Sequence, residues 1–134
     1  MSKTNEPQEW KIYSDVLESI MEFSKSFYPN EFSGLLYCDI FTKTIKDIYI
    51  LPGTQSGRTS AVLRMDLAPM TFSLAGSVHS HPSGRGEASG ADLNFFSSKD
   101  VNIIAYPPFD LTSYRAYNNH GIDIQITTIK REKK

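Results

Sequence analysis

Gly76 to Phe96 reads GSVHSHPSGRGEASGADLNFF, and this stretch decides how the rest of the chain is read. It carries two of the three histidines of the protein, His79 and His81, with only Ser80 between them. In an extended strand, residues i and i+2 face the same side, so both imidazoles can aim at one point. Ser73–Val78 is compatible with a short strand leading into them. Pro82 has no N–H to donate and stops it. Zinc is bound tetrahedrally by nitrogen, sulfur or carboxylate oxygen, and a catalytic zinc takes three protein ligands and keeps one position open. A third ligand is therefore needed, and Asp92 is the nearest well-placed carboxylate. Glu87 is closer in sequence but falls in the Gly/Ser-rich loop Ser83–Ala88.

The same residues have a plainer reading. Two histidines at i and i+2 can be a pair of satisfied surface side chains. Ser89-Gly90-Ala91-Asp92 has the form of a helix capping box, with Ser89 as N-cap and Asp92 at the third helical position. The capping and metal roles are compatible. A capping box would fix where Asp92 sits, and the helix dipole favours a first-turn carboxylate.

The whole pattern resembles a known one. His79-Ser80-His81-Pro82, seven residues from Pro82 to Ala88, then Ser89-Gly90-Ala91-Asp92 is similar to the JAMM signature of the JAB/MPN/Mov34 metalloprotease family: HxH, seven residues, SxxD. That family also requires an upstream Glu near the first strand, soon followed by Gly, and Glu31-Phe32-Ser33-Gly34 fills this place. Without the resemblance, Glu31 reads as a solvated helix-to-strand turn residue. The match runs from about the first helix to the last strand.

The resemblance implies one Zn2+ per chain on His79, His81 and Asp92. It implies Glu31 as the base that deprotonates the zinc-bound water and passes the proton to the leaving amine. Ser89 would donate a hydrogen bond to the oxyanion or the water. The implied activity is that of a zinc isopeptidase or peptidase. Its substrate would be the bond between the C-terminal tail of a ubiquitin-like modifier or sulfur-carrier protein and a lysine or peptide. The tail would lie as an added strand beside the groove, held by the loops Pro52–Ser60 and Ser83–Ala88. The compact form resembles archaeal and bacterial JAMM proteins, and some family members dimerise, so a homodimer is compatible. RadC-type JAB domains linked to DNA share the metal pattern, but usually carry Asn where this chain has Ser80. Non-catalytic MPN scaffold subunits usually lack one or more of the five residues, all of which are present here.

Composition is that of an ordinary soluble globular protein and argues against other classes. The chain has 134 residues, enough for a single domain (1–134) with a real core. Its ends, 1–9 and 130–134, are expected to be flexible. A net charge of −1 marks neither a nucleic-acid nor a membrane surface. The apolar runs are too short to span a bilayer, and no secretory pattern opens the chain. One cysteine, Cys38, cannot form an intramolecular disulfide and reads as a buried, inert thiol in an apolar strand. A cytoplasmic protein is expected.

The remaining elements follow from periodicity. Trp10 and Ile12 begin a short strand or pack on the first helix. Ser14 is read as N-cap of that helix, with Asp15 just inside it, and Val16, Leu17, Ile20, Met21, Phe23, Ser24 and Phe27 give its apolar period up to Pro29. Strands are expected over Gly34–Ile40, Ile45–Leu51, Ala61–Leu67 and Thr71–Val78. A second helix is expected over Ser89–Lys99, with Leu93, Phe95 and Phe96 toward the core. The strand Val101–Tyr106 follows, then a hairpin of Leu111–Tyr117 and Ile122–Ile129. Its turn, Asn118–Gly121, makes His120 a surface residue, not a ligand. The helix that many family members place before the HxH strand is expected to be reduced or missing, because Asp66–Ala75 is short and contains Pro69. The sum is an α/β fold, a mixed curved β-sheet flanked by helices. This agrees with the cytidine-deaminase-like architecture that the family resemblance implies.

Overall fold

The computed structural model describes residues 9–50, 72–84 and 98–131. Their elements, in chain order, are β1 (Trp10–Tyr13), α1 (Ser14–Phe27), β2 (Ser33–Asp39), β3 (Thr44–Ile50), β4 (Phe72–Ser80), β5 (Val101–Ala105), β6 (Tyr114–Tyr117), β7 (Asp123–Ile124) and β8 (Ile126–Ile129). The expected strand Ala61–Leu67 and most of the expected helix Ser89–Lys99 lie outside the described residues. Ser98 and Lys99 are not helical and lead into β5.

The strands form one mixed sheet in the order β7-β6-β5-β4-β2-β3-β1-β8. β7 and β8 stand at opposite ends of that order, yet only Gln125 separates them along the chain. One residue spans less than about 4 Å, so the sheet curls until its two edges meet at Gln125. Among the described strands, three pairings are parallel: β1 with β3, β1 with β8, and β4 with β5. A parallel pair cannot be closed by a tight hairpin, and the link from β4 to β5 is the stretch that contains Asp92.

The α1 helix covers one face of this sheet. Val16, Leu17, Ile20, Met21 and Ser24 form its buried stripe, the spacing of one helical face. Beneath them lie Ile12, Leu36, Cys38, Ile45, Val78, Val101, Ile103 and Ala105. Ser24 is tolerated there because its hydroxyl donates to the Ile20 carbonyl at 2.8 Å. The opposite face carries Ser77, Asn102, Ile104 and Tyr117, all buried as well. Every residue of β5 is buried, as expected for a strand covered on both faces.

Two expectations need correction. The N-cap of α1 is Tyr13, with extended backbone, and Ser14 is already helical; among the described residues no side chain caps this end. The chain passes straight from β1 into the helix, so position 14 is past the point where a capping side chain could act. The last strand is not one hairpin arm either. Only Asp123–Ile124 pairs with β6, whereas Ile126–Ile129 crosses to run parallel to β1, with Trp10 opposite Ile126. Strand β1 would otherwise expose a row of unpaired N–H and C=O groups, and β8 satisfies them. Arg131 fastens that end: it donates to Asp15 at 2.9 Å and to the Lys46 carbonyl at 2.9 Å, and stacks over Tyr13.

Candidate metal centre

Strand β4 runs two residues further than the sequence suggested, so His79 lies within it and His81 directly follows. His79 stands opposite Ser33 of β2 on one side and Ile104 of β5 on the other. The N–H of His81 donates to the Ala105 carbonyl at 2.8 Å, which holds the residue in line with the strand before Pro82 ends it. Both rings are half-buried. They converge as their i, i+2 spacing requires: ring centroids are 5.0 Å apart at 51°, and the two Nε2 atoms are 3.2 Å apart.

That separation is a test of metal fit. Two nitrogens at about 2.05 Å from a tetrahedral zinc stand about 3.3 Å from each other. The Nε2 atoms of His79 and His81 are already at this spacing. Among the described residues, no group of three His, Cys, Asp or Glu side chains could hold a metal. The expected third ligand Asp92, with Ser89 and Glu87, lies outside the described residues.

Glu31 is exposed, at the end of the loop that joins α1 to β2. Its neighbour Phe32 is fully buried, with ring centroids 5.8 Å from Phe23 and 5.7 Å from Phe27 of α1. Two residues further on, Ser33 pairs with His79. The aromatic anchor and the β2–β4 register therefore bring the Glu31 segment to the end of the sheet where the histidines lie. Sequence reasoning missed Ser80. Its hydroxyl accepts the Phe32 N–H at 2.9 Å, and its own N–H donates to the Phe32 carbonyl at 2.9 Å. A polar residue at the inward position of an otherwise apolar strand end was the available signal.

The same end of the sheet holds a small apolar hollow of about 220 Å³ lined by Lys25, Tyr28, Pro107 and Phe109. The other reactive candidates are remote from this chemistry in kind. His120 is exposed in the β6–β7 turn, where its N–H is capped by the Asn118 side chain at 2.8 Å. Burial pushes the Cys38 thiol from 9.0 up to about 12, so it is a poor nucleophile.

The chain is 36% identical over 118 residues to a probable metalloprotease of Haloferax volcanii, a match that covers 82% of this chain and 73% of that protein. A solved structure of a JAB1/MPN domain protein from Archaeoglobus fulgidus superposes with a TM-score of 0.71 at 28% identity, over 90% of this chain and 99% of that one. This chain belongs to the JAMM/MPN metalloprotease family. A second solved structure, described as a JAMM metalloprotease-like zinc site in the proteasome and signalosome, gives a TM-score of 0.69 at 28% identity, over 91% and 99% of the two chains. No protein-family model matches the chain. The JAMM/MPN assignment agrees with the mixed α/β architecture and with zinc as the metal to which the histidine pair is suited. Among the described residues, no helix is long and apolar enough to cross a membrane.

Proposed function

We propose that this JAMM-family chain is a zinc-dependent isopeptidase or peptidase. Its substrate would be the bond joining the C-terminal tail of a ubiquitin-like modifier or sulfur-carrier protein to a lysine or a peptide. The observation that carries the reading is the convergence of the His79 and His81 Nε2 atoms at 3.2 Å, on a strand tied directly to the Glu31–Phe32 segment. His79 and His81 would hold the metal, with Asp92 as third ligand. A zinc held there supplies Lewis acidity toward a scissile carbonyl and an attacking water.

The chain's own residues do the rest. Glu31 takes a proton from the attacking water and returns one to the leaving amine, the two-step work for which a carboxylate is suited. Ser89 donates a hydrogen bond to the developing oxyanion; loss of one such donor typically costs about 10²–10³ in rate. The edge of the active-site groove would take the modifier's tail as an extended strand, so main-chain hydrogen bonds provide affinity and sequence-tolerant register.

Hydrolysis of a modifier–lysine conjugate, with and without a chelator, tests this function. The expected result is cleavage that stops on chelation and returns with zinc. Chelator-insensitive binding of conjugates with no cleavage would support a scaffold subunit instead.

A further inference from the structure

The alternation that sends His79 and His81 to one face of β4 sends Ser80 to the other. Ser80 is 1% exposed, and its hydroxyl oxygen accepts the N–H of Phe32 at 2.9 Å. That N–H belongs to the peptide unit joining Glu31 to Phe32. Fixing its direction fixes the plane through which the Glu31 backbone leaves the sheet. The regular β2–β4 pairing ends at Ser33 and His79. Beyond it, the Ser80 hydroxyl and the Ser80 N–H together clamp Phe32 from both sides. The Phe32 ring, buried against Phe23 and Phe27, prevents the clamp from sliding.

We propose that Ser80 is the positioning residue that sets Glu31 against the histidine pair. One buried hydroxyl, covalently adjacent to both His79 and His81, makes the candidate base move with the candidate metal ligands. An alanine here would leave the histidines on their strand but release the Glu31–Phe32 peptide. A buried N–H without a partner is costly, so that peptide would turn toward another acceptor and carry Glu31 with it. The inference rests on the peptidase reading of the site.

Ser80→Ala and Ser80→Thr test it, with three readouts on the full chain. The first is hydrogen exchange at the Phe32 amide. The second is the visible absorption of the Co2+-substituted protein, compared with that of Glu31→Gln. The third is kcat and KM on a modifier–lysine conjugate. Ser80→Ala should lose Phe32 protection, bind Co2+ as the wild type does, and shift the cobalt bands as Glu31→Gln does. Its kcat should fall about 10- to 100-fold at unchanged KM, the cost of misplacing a catalytic group by about an ångström. Ser80→Thr should recover most of the loss. Ser80→Cys keeps the volume with a weak acceptor and gives the same reading should the alanine variant fail to fold. Wild-type kcat in a variant whose Phe32 amide has lost protection would overturn the proposal. So would loss of metal in Ser80→Ala, which would place the effect on the histidines. A wild type that cleaves no conjugate sinks the peptidase reading alone. The amide exchange and cobalt bands still decide whether Ser80 places Glu31.

Discussion

Ser33 of β2 stands opposite His79 of β4, in an antiparallel register that continues through Gly34 and Val78. Side chains alternate with a period of two, so a slip of one residue would turn the histidines to the α1 face. The register is thus a condition of the site as much as of the fold, and Gly34 is one of the residues that enforces it.

A Cβ at Gly34 would lie 2.9 Å from the Tyr49 carbonyl oxygen and 3.3 Å from Val78 Cγ1. The first neighbour is backbone and cannot swing aside, so Gly34→Ala must push β2 away from β3 or β4. We expect a stability loss of about 1–3 kcal/mol, the usual cost of overpacking, together with weaker zinc binding. Denaturant midpoints and chelator competition measure the two effects. An alanine variant as stable as the wild type would show that these strands part freely.

On the proposed reading, the site residues separate into those that would hold metal and those that would act on the water. His79→Ala, His81→Ala and Asp92→Ala should each carry little zinc by elemental analysis. Glu31→Gln should carry about one zinc per chain and still lose at least about 10²-fold in rate. If Glu31→Gln cleaves as fast as the wild type, Glu31 returns to being a solvated turn residue beside a metal site that uses another base.

The histidine pair was legible because its information is local: two residues apart on a strand, with a proline to end it. The helix α1 was legible for the same reason, through its apolar period. The closure of the sheet was not. Ile122–Ile129 alternates like one strand, and nothing within it states that Ile126 belongs beside Trp10, more than a hundred residues away. The Ser80–Phe32 clamp is likewise long-range: alternation marks Ser80 as an inward polar residue but does not say which distant N–H it meets. Ser14 misled because its residue type suits a cap, while the cap position is decided by where the preceding strand ends.

Behind the histidines, on the same face of the sheet, Ser77 and Asn102 form a buried polar pair. The Ser77 hydroxyl donates to Asn102 Oδ1, and the Asn102 amide donates to the Lys99 carbonyl at 3.2 Å and the Tyr117 carbonyl at 3.4 Å. One side chain therefore joins β4, β5, β6 and the turn before β5. Asn102→Ala should cost about 1–3 kcal/mol by stranding buried polar groups. Ser77→Ala should cost less, because it removes one donor and leaves both carbonyl contacts. Equal losses in thermal or denaturant unfolding would mean that the amide contacts contribute nothing beyond the serine bond.

The Cys38 thiol gives the fold an alkaline limit. Burial, opposed by a hydrogen bond from the Ala75 backbone, raises it from 9.0 to about 12. The unfolded chain thus ionises first and binds fewer protons than the folded one between those values, so stability is full below about pH 9 and declines as pH rises above it. The slope from one thiol is at most about 1.4 kcal/mol per pH unit. Tyr114, also raised by burial, adds a decline of the same sign above its ordinary value of 10.0. Melting temperature should therefore fall steadily from pH 9 upward, and Cys38→Ala should flatten the portion between pH 9 and 10 while lowering stability at neutral pH through the lost packing. Iodoacetamide should leave Cys38 unmodified in the folded protein at pH 8 and label it once denaturant is added. A Cys38→Ala variant with an unchanged alkaline slope would assign the decline to the tyrosines.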